Sequence, residues 1–355
     1  MRERRPPDTA FHAARVARAA PATGWRQRWH AIAPALGLFF LSPLVAEYLL
    51  GNIAIDALAG LVVLAPLYGG GALLIREVTR RTGRGWPTVL LLALAYAVFE
   101  EGLVTQGLFN RGYVGANLLS VTYLPALGIG VWWTVFVLTL HTVWSITVPI
   151  ALVESSVPQR AGTPWLGNVG LAVTVALLIV GAVASFAGTY QQSAYLAPAP
   201  QLVGATMAIV ALIAVAFAIP THPRPPLPGQ APNPWPVGVF AFVMSSLFMV
   251  ARWFIDTITG WGVVAVYLLI DAIVIVLVAR WSRHPGWSAA HVLALAGGAL
   301  LTYAWHAFPE IPVLGQTGTI DLIGNAVFAI GALLVLAAVI DAQRKASHAA
   351  HSDDA

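Results

Sequence analysis

Residues 86–112 read WPTVLLLALAYAVFEEGLVTQGLFNRG. A strongly apolar run begins at Trp86, and about 20 such residues are enough for a helix to cross a bilayer. Two adjacent carboxylates, Glu100 and Glu101, lie late in this run, where a charged side chain costs about 2.5 to 3.5 kcal/mol to insert. The stretch therefore predicts a membrane-spanning helix whose glutamates have a role that offsets this cost.

The composition of the whole chain favours the same class of protein. Of the 355 residues, 58% are hydrophobic and 10% are charged, whereas a soluble domain carries about 25% charged residues. We therefore predict an all-α, polytopic integral membrane protein. The absence of cysteine excludes disulfides, thiolate metal ligands and cysteine nucleophiles. Apart from Lys345 every basic residue is an arginine, and nothing in their arrangement predicts a nucleic-acid partner.

Apolar segments of spanning length recur along the chain and predict about ten transmembrane helices. They run 31–53, 57–75, 86–109, 131–153, 164–187, 201–219, 236–256, 261–279, 287–306 and 322–340. The breaks between them are rich in proline, glycine and arginine, which is typical of loops.

The distribution of basic residues predicts the orientation of the chain. With the amino terminus inside, all of the 19 basic residues except Arg111 and Arg252 fall in inner segments, as cytoplasmic loops require. Both termini are then cytoplasmic, and the expected location is a bacterial plasma membrane with lipids as partners. The predicted organisation is a basic tail (1–30), a six-span core (31–219), a proline-rich loop (220–235), a four-span bundle (236–341) and a cytoplasmic tail (342–355).

Depth counting places three ionisable side chains at one level of the predicted bilayer. Glu100 and Glu101 lie eight or nine residues from the predicted outer end of span three, and His141 lies ten from the outer start of span four. At about 1.5 Å per residue, all three lie roughly 12 to 15 Å below the outer surface. Neighbouring antiparallel helices would therefore bring them together in a polar site that opens toward the outer leaflet.

Helical spacing extends this site to neighbouring polar residues as candidate binding groups. Tyr96 shares a face with Glu100, Thr105 shares one with Glu101, and Ser145 shares one with His141. Gln106 adjoins Thr105. One carboxylate of such a pair can act as a general base for a water molecule while the other keeps a proton. The alternative is a buried histidine–glutamate pair that only locks two helices together.

The same residues resemble the motifs of a known enzyme family. The glutamate pair of FEEGLVTQGLF, followed about forty residues later by the histidine of FVLTLHTVWS, resembles the CAAX-protease and bacteriocin-processing family of intramembrane glutamate proteases. The resemblance implies that Glu100 and Glu101 activate water for peptide hydrolysis and that His141 supports the oxyanion. Thr105 stands where the family motif has an arginine, and span five holds no histidine.

Two further carboxylates lie within predicted spans. Glu47 lies near the outer end of span one, where it either reaches the site or is solvated at the interface, while Asp271 lies near the middle of span eight as a candidate proton or cation carrier. They keep a proton-coupled secondary transporter open as an alternative to the protease. A non-catalytic membrane scaffold is the third alternative.

No cofactor or metal is expected from the sequence. The HExxH pattern of zinc proteases is absent, and one histidine with two adjacent glutamates offers few metal ligands. The expected partners beyond lipids are a membrane-embedded peptide or a small-molecule substrate. Three glycines, Gly69 to Gly71, lie within span two and predict either close helix packing or a locally broken helix.

Overall fold

The computed structural model describes residues 25–221 and 225–353. Within these ranges the chain is helical apart from loops and one short antiparallel hairpin, Tyr123–Leu124 (β1) with Ile129–Gly130 (β2). The predicted all-α class is therefore confirmed. The predicted basic tail falls mostly outside the described residues, because 1–24 are not among them. The carboxyl-terminal segment predicted as a tail is helical as far as Asp353.

The helices follow the predicted spans closely. The α-helices are Trp25–Pro43 (α1), Leu61–Leu64 (α2), Gly70–Arg81 (α3), Trp86–Phe99 (α4), Val131–Leu140 (α5), Val148–Ser156 (α6), Asn168–Ser193 (α7), Ala199–Ala218 (α8), Pro234–Ala251 (α9), Ile255–Trp281 (α10), Ala289–His306 (α11) and Thr319–Asp353 (α12). The 3₁₀ turns are Ile55–Gly60, Tyr113–Gly115, Pro158–Arg160 and Arg252–Phe254. The π-helical turns are Leu44–Tyr48 (π1), Ala65–Gly69 (π2), Glu100–Val104 (π3) and His141–Thr147 (π4).

Seven helical segments of the described ranges are long and apolar enough to cross a membrane. One of them, Pro234–Trp281, folds back on itself, because the rings of Phe248 and Tyr267 stack with centroids 4.3 Å apart. A straight helix would separate these residues by about 28 Å. The reversal occurs at the 3₁₀ turn Arg252–Phe254 and at Thr259, whose φ is +65°. The chain is a multi-pass membrane protein, while the full count of ten spans stays a prediction.

The helix formed by α5 and π4 lies at the centre of the molecule. Its aromatic side packs against α9, α10 and α11: Phe136 stacks on Phe248 at 5.8 Å and Trp144 stacks on Tyr303 at 4.6 Å. The indole of Trp144 also donates to the Ala299 carbonyl (2.8 Å). Aromatic pairs of this kind bury large apolar area in a fixed geometry. The opposite side of the same helix faces α4 and carries the polar residues.

Glycines permit two close contacts around span two. A Cβ at Gly69 would overlap the backbone of Phe39, and one at Gly71 would overlap the ring of Tyr96. Because Pro43 has no N–H, the Phe39 carbonyl lacks its usual helical donor, and Gly69 packs against it. The close-packing interpretation of Gly69 to Gly71 is therefore correct, and a local irregularity, π2, ends at Gly69.

A buried ion network ties α3 to α6 at the end of the molecule that the arginine distribution predicts to be cytoplasmic. Arg76 contacts Glu77 (2.7 Å) and Glu154 (3.1 Å), and Arg80 contacts Glu154 (2.7 Å). We call Arg76, Glu77, Arg80 and Glu154 the inner cluster. Arg76 also donates to the Ala161 carbonyl (2.9 Å). These bonds fix the inner ends of the two helices.

The end of span three differs from the prediction. The helix ends at Val104 rather than at 109, because the hydroxyl of Thr105 bonds back to the Glu100 carbonyl (3.1 Å) and Gln106 adopts a φ of +58°. The irregular chain from Thr105 to Asn110 remains buried, as non-helical backbone at membrane depth must be. The glutamates thus lie three or four residues from the helix end, so the predicted eight or nine is wrong.

Candidate functional site

The side chains of Glu100, Glu101 and His141 meet between α4 and the central helix. The Nε2 atom of His141 lies 3.1 Å from Glu100 Oε2 and 3.2 Å from Glu101 Oε1. All three residues are buried, with 2%, 3% and 7% of their surface exposed. The proximity that depth counting predicted is present, although the end of span three is shorter than expected.

Every π-helical turn of the described residues contributes at least one side chain to the region around Glu100, Glu101 and His141. We call the contributing residues the outer cluster. They are Glu47 from π1, Tyr68 from π2, Glu100 and Glu101 from π3, and His141 and Ser145 from π4. Turns of this type are rare in proteins and occur frequently at functional sites. Four of them converging on one cluster set this region apart from the regular α-helices around it.

Prolines explain part of this local geometry. Pro149 has no N–H, so the carbonyl of Ser145, four residues earlier, lacks its helical donor. The hydroxyl of Ser42 supplies that donor instead, at 2.5 Å. This bond joins α1 to π4 directly behind His141. A proline at the end of a span therefore does not leave a buried carbonyl unpaired here.

Two contacts orient the imidazole of His141. Its Nδ1 lies 3.1 Å from the Ser145 hydroxyl, and its ring stacks on Tyr68 with centroids 5.7 Å apart. The Tyr68 hydroxyl in turn donates to Glu47 (2.5 Å), and Asn52 donates to the other oxygen of Glu47 (2.6 Å). Glu47 thus reaches the cluster through Tyr68, as a second layer behind the histidine.

The cluster contains buried polar atoms without hydrogen-bond partners. They are Glu100 Oε2 and Glu101 Oε2, and the hydroxyl of Tyr96 on α4 is a further buried atom without a hydrogen-bond partner. Glu100 Oε2 has only its ion-pair contact with His141. Buried polar groups are normally paired, and one imidazolium can balance only one of two carboxylates. These atoms mark the place where a water molecule, a substrate or an ion would complete the site.

Three predicted binding residues have local partners away from the carboxylates. Asp271 accepts a hydrogen bond from Thr139 (3.2 Å), which joins α10 to α5. The side chain of Gln106 accepts from the backbone N–H of Ala197 (2.7 Å), and Thr105 closes π3. Asp271 therefore has the neighbouring partner that its sequence context did not reveal, and the structure does not place it with Glu100 and Glu101.

Sequence reasoning missed several residues of the site. Tyr68 lies in PLYGGG, a stretch from which only the glycines were interpreted, and Ser42 and Asn52 gave no signal of their own. Tyr113 was also missed: a Cβ at Gly107 would touch both its ring and Glu101 Oε2, so the tyrosine approaches the carboxylate. Contacts of this kind join residues far apart in the chain and leave no periodic pattern.

The segment from 105 to 130 covers the outer side of the site. Four non-glycine residues within it, Gln106, Val114, Asn117 and Thr122, have positive φ angles, and such angles are uncommon. Asn110 holds the segment to Ser193 at the end of α7 through a hydrogen bond of 3.1 Å. Irregular chain rather than helix therefore covers the end of the site that the arginine distribution predicts to be the outer one, and the predicted opening toward the outer leaflet is not seen, since Glu100, Glu101 and His141 are all buried.

Comparison with known proteins supports only the membrane class. No curated protein and no solved structure matches this chain. The matching family model is not that of the glutamate proteases, so the motif resemblance stays an expectation. That model is described as an uncharacterized membrane protein family and matches residues 36–345, which include the whole outer cluster. The chain belongs to this membrane protein family.

Proposed function

We propose that the outer cluster is the active site of an intramembrane hydrolase. The observation that carries this proposal is the convergence of four π-helical turns on two buried carboxylates, each of which has one oxygen without a hydrogen-bond partner. A purely structural pair needs neither the second glutamate nor four irregular turns. Glu100 and Glu101 are the groups that activate water, and His141 supports the transition state.

The geometry suggests how the roles are divided. Glu101 Oε2 faces Gly107 and Tyr113 without a hydrogen bond, so it is free to accept a proton from water. The water oxygen then bonds to the carbonyl carbon of the substrate, and the oxyanion accepts a hydrogen bond from His141 Nε2. When the carbon–nitrogen bond breaks, the proton on Glu101 passes to the leaving amine. Ser145 holds the imidazole in position throughout.

The surroundings of the site suggest the class of substrate. The cluster lies among apolar helices near the outer ends of the spans, and α7 and α8 expose most of their apolar side chains outward. A membrane-embedded peptide would approach such a site from the lipid, between helices, whereas a soluble peptide would first need to leave water. Amide hydrolysis within a membrane-embedded peptide is therefore the proposed reaction.

Incorporation of heavy oxygen tests the proposal without a known substrate. Membranes from cells that carry the wild-type chain as their only copy are incubated in H₂¹⁸O, and membrane peptides are analysed by mass spectrometry. We expect new carboxyl termini containing ¹⁸O in the wild type. The variant Glu101→Gln should lose them by a factor of about 10² or more, the usual contribution of a general base.

Asp271→Asn is the matched control, because it also neutralises a buried carboxylate but lies outside the outer cluster. It should keep the labelled products. Identical labelled products in wild type and Glu101→Gln would contradict the hydrolase. Proton uptake into vesicles that both variants abolish, with no labelled product, would instead indicate the proton-coupled carrier. Thermal unfolding of each variant at or above the wild-type temperature excludes misfolding as the cause of either result.

A further inference from the structure

We infer that Glu100, Glu101 and His141 bind one divalent transition-metal ion with the ligand preference of Zn²⁺ or Co²⁺. One potential ligand atom from each residue lies within 4.8 Å of the others, and all three residues are buried. The inference concerns the same three residues as the proposed hydrolase. An ion bound to His141 Nε2 would replace the Nε2–H as the group that supports the oxyanion, and Glu101 Oε2 would remain the base. The inference does not depend on hydrolysis, because metal binding is measured separately.

The distances suit a metal site of this kind. Zinc lies about 2.0 to 2.2 Å from histidine nitrogen and carboxylate oxygen, so two ligands of a tetrahedral site are about 3.3 Å apart. His141 Nε2 lies 3.1 Å from Glu100 Oε2 and 3.2 Å from Glu101 Oε1. Two edges of the tetrahedron therefore already have nearly the required length. The third edge, between the two carboxylate oxygens, is no longer than 4.8 Å.

The charge of the site favours a divalent ion. Two carboxylates carry two negative charges, and protonated His141 would neutralise only one of them at membrane depth. A dication with a neutral imidazole balances the charges of both ligand carboxylates, which lowers the cost of burying them in a region of low dielectric constant. The arginines of the inner cluster do not supply this charge, since Arg76 and Arg80 pair with Glu154.

The second layer of the site has the form that metal-bound histidines usually have. The distal nitrogen of such a histidine is normally held by a hydrogen bond that fixes the ring. Ser145 lies 3.1 Å from His141 Nδ1, and Tyr68 stacks on the ring. Three protein ligands leave one position open for water, as in catalytic zinc sites. A histidine ligand favours Zn²⁺ or Co²⁺ over Mg²⁺ and Ca²⁺.

Metal content of the purified full chain tests this inference. The chain is prepared in detergent without a histidine tag, equilibrated with Zn²⁺ and freed of loose metal, and the metal is counted by mass spectrometry. Titration with Co²⁺ reports the coordination geometry through its visible absorption. We expect one ion per chain in tetrahedral geometry. Ser145→Ala should weaken binding by about 10- to 100-fold, as second-layer changes do.

The variants separate a specific site from adventitious binding by histidines elsewhere in the chain. His141→Ala and Glu101→Gln should lose the ion, while Asp271→Asn, checked by thermal unfolding like the others, should keep it. A folded His141→Ala variant that retains as much metal as the wild type overturns the site. Labelled hydrolysis products without bound metal overturn the metal but leave the hydrolase, and bound metal without such products does the reverse.

Discussion

The inner and outer clusters both contain buried charged side chains, but they differ in how completely those side chains are paired. In the inner cluster, Glu77 accepts from Arg76 and from the backbone N–H groups of Trp165 and Leu166, at 2.7 to 3.1 Å. In the outer cluster, one imidazole serves two carboxylates, and oxygens remain unpaired. The inner residues lie on regular α-helices, and the outer residues lie on π-helical turns.

This difference separates a structural role from a binding role for buried charge. In a network whose charged groups are all paired, no group is left to bind a ligand, and removal of one residue leaves an uncompensated charge. An unsaturated cluster is costly in the protein alone and becomes favourable when a ligand completes it. The two clusters should therefore respond to charge removal with opposite changes in the free energy of unfolding.

The largest effect is expected in the inner cluster. Arg76→Met removes the donor to Glu77 and Glu154 and leaves both carboxylates short of a partner. Breaking a buried pair in this way costs about 3 to 5 kcal/mol. Equilibrium unfolding in detergent measures the loss. Lys345→Met, which removes an exposed charge from α12, is the control and should leave stability unchanged; equal stability of both variants would remove the distinction between the clusters.

A change of opposite sign is expected in the outer cluster. Glu101→Gln removes a buried charge that His141 cannot fully balance, so the metal-free protein should gain about 1 to 3 kcal/mol, the usual penalty for an unsatisfied buried polar group. The same unfolding measurement, made with a chelator present, reports the gain. Destabilisation comparable to that of Arg76→Met would show that Glu101 is part of a structural pair.

The smallest effect concerns the proline-derived contact behind His141. Ser42→Ala removes the donor to the Ser145 carbonyl and should cost about 0.5 to 1.5 kcal/mol. Pro149→Ala restores the helical N–H that this carbonyl lacks. In that background Ser42→Ala should cost less, and a double-mutant cycle measures the difference. A cycle with no coupling energy would mean that Pro149 does not create the need for Ser42.

The sequence was sufficient for the helices but not for their irregular turns. Long apolar runs determine where a chain can cross a membrane, so the segment around Glu100 was predictable. The π-helical turns were not, because they are accompanied by contacts between distant residues, such as that of Ser42 with Ser145, which lies 103 residues further along the chain. The early end of span three at Val104 was not predictable either, since it depends on a hydroxyl of Thr105 rather than on hydropathy.

The candidate site was predictable in part for a related reason. The glutamates and His141 were identified because charge within an apolar run is costly and depth along a helix can be counted. Tyr68 was not, because a tyrosine in an apolar segment carries no such cost and its stacking on His141 depends on packing between spans. Asp271 was identified in the same way, as a charge within an apolar run. Its partner Thr139 was not, because it lies on a helix far away in the sequence.

The aromatic packing of the central helix has a mechanical consequence for the site. Trp144, three residues after His141, is clamped to α11 by its stacking on Tyr303 and its bond to Ala299. The glutamates belong instead to the helix that begins with α4. The cluster is therefore shared between two helices. If one helix moved along the other by about 1 Å, both carboxylate–imidazole distances would change together. A displacement of that size is large enough to change a catalytic rate about 100-fold.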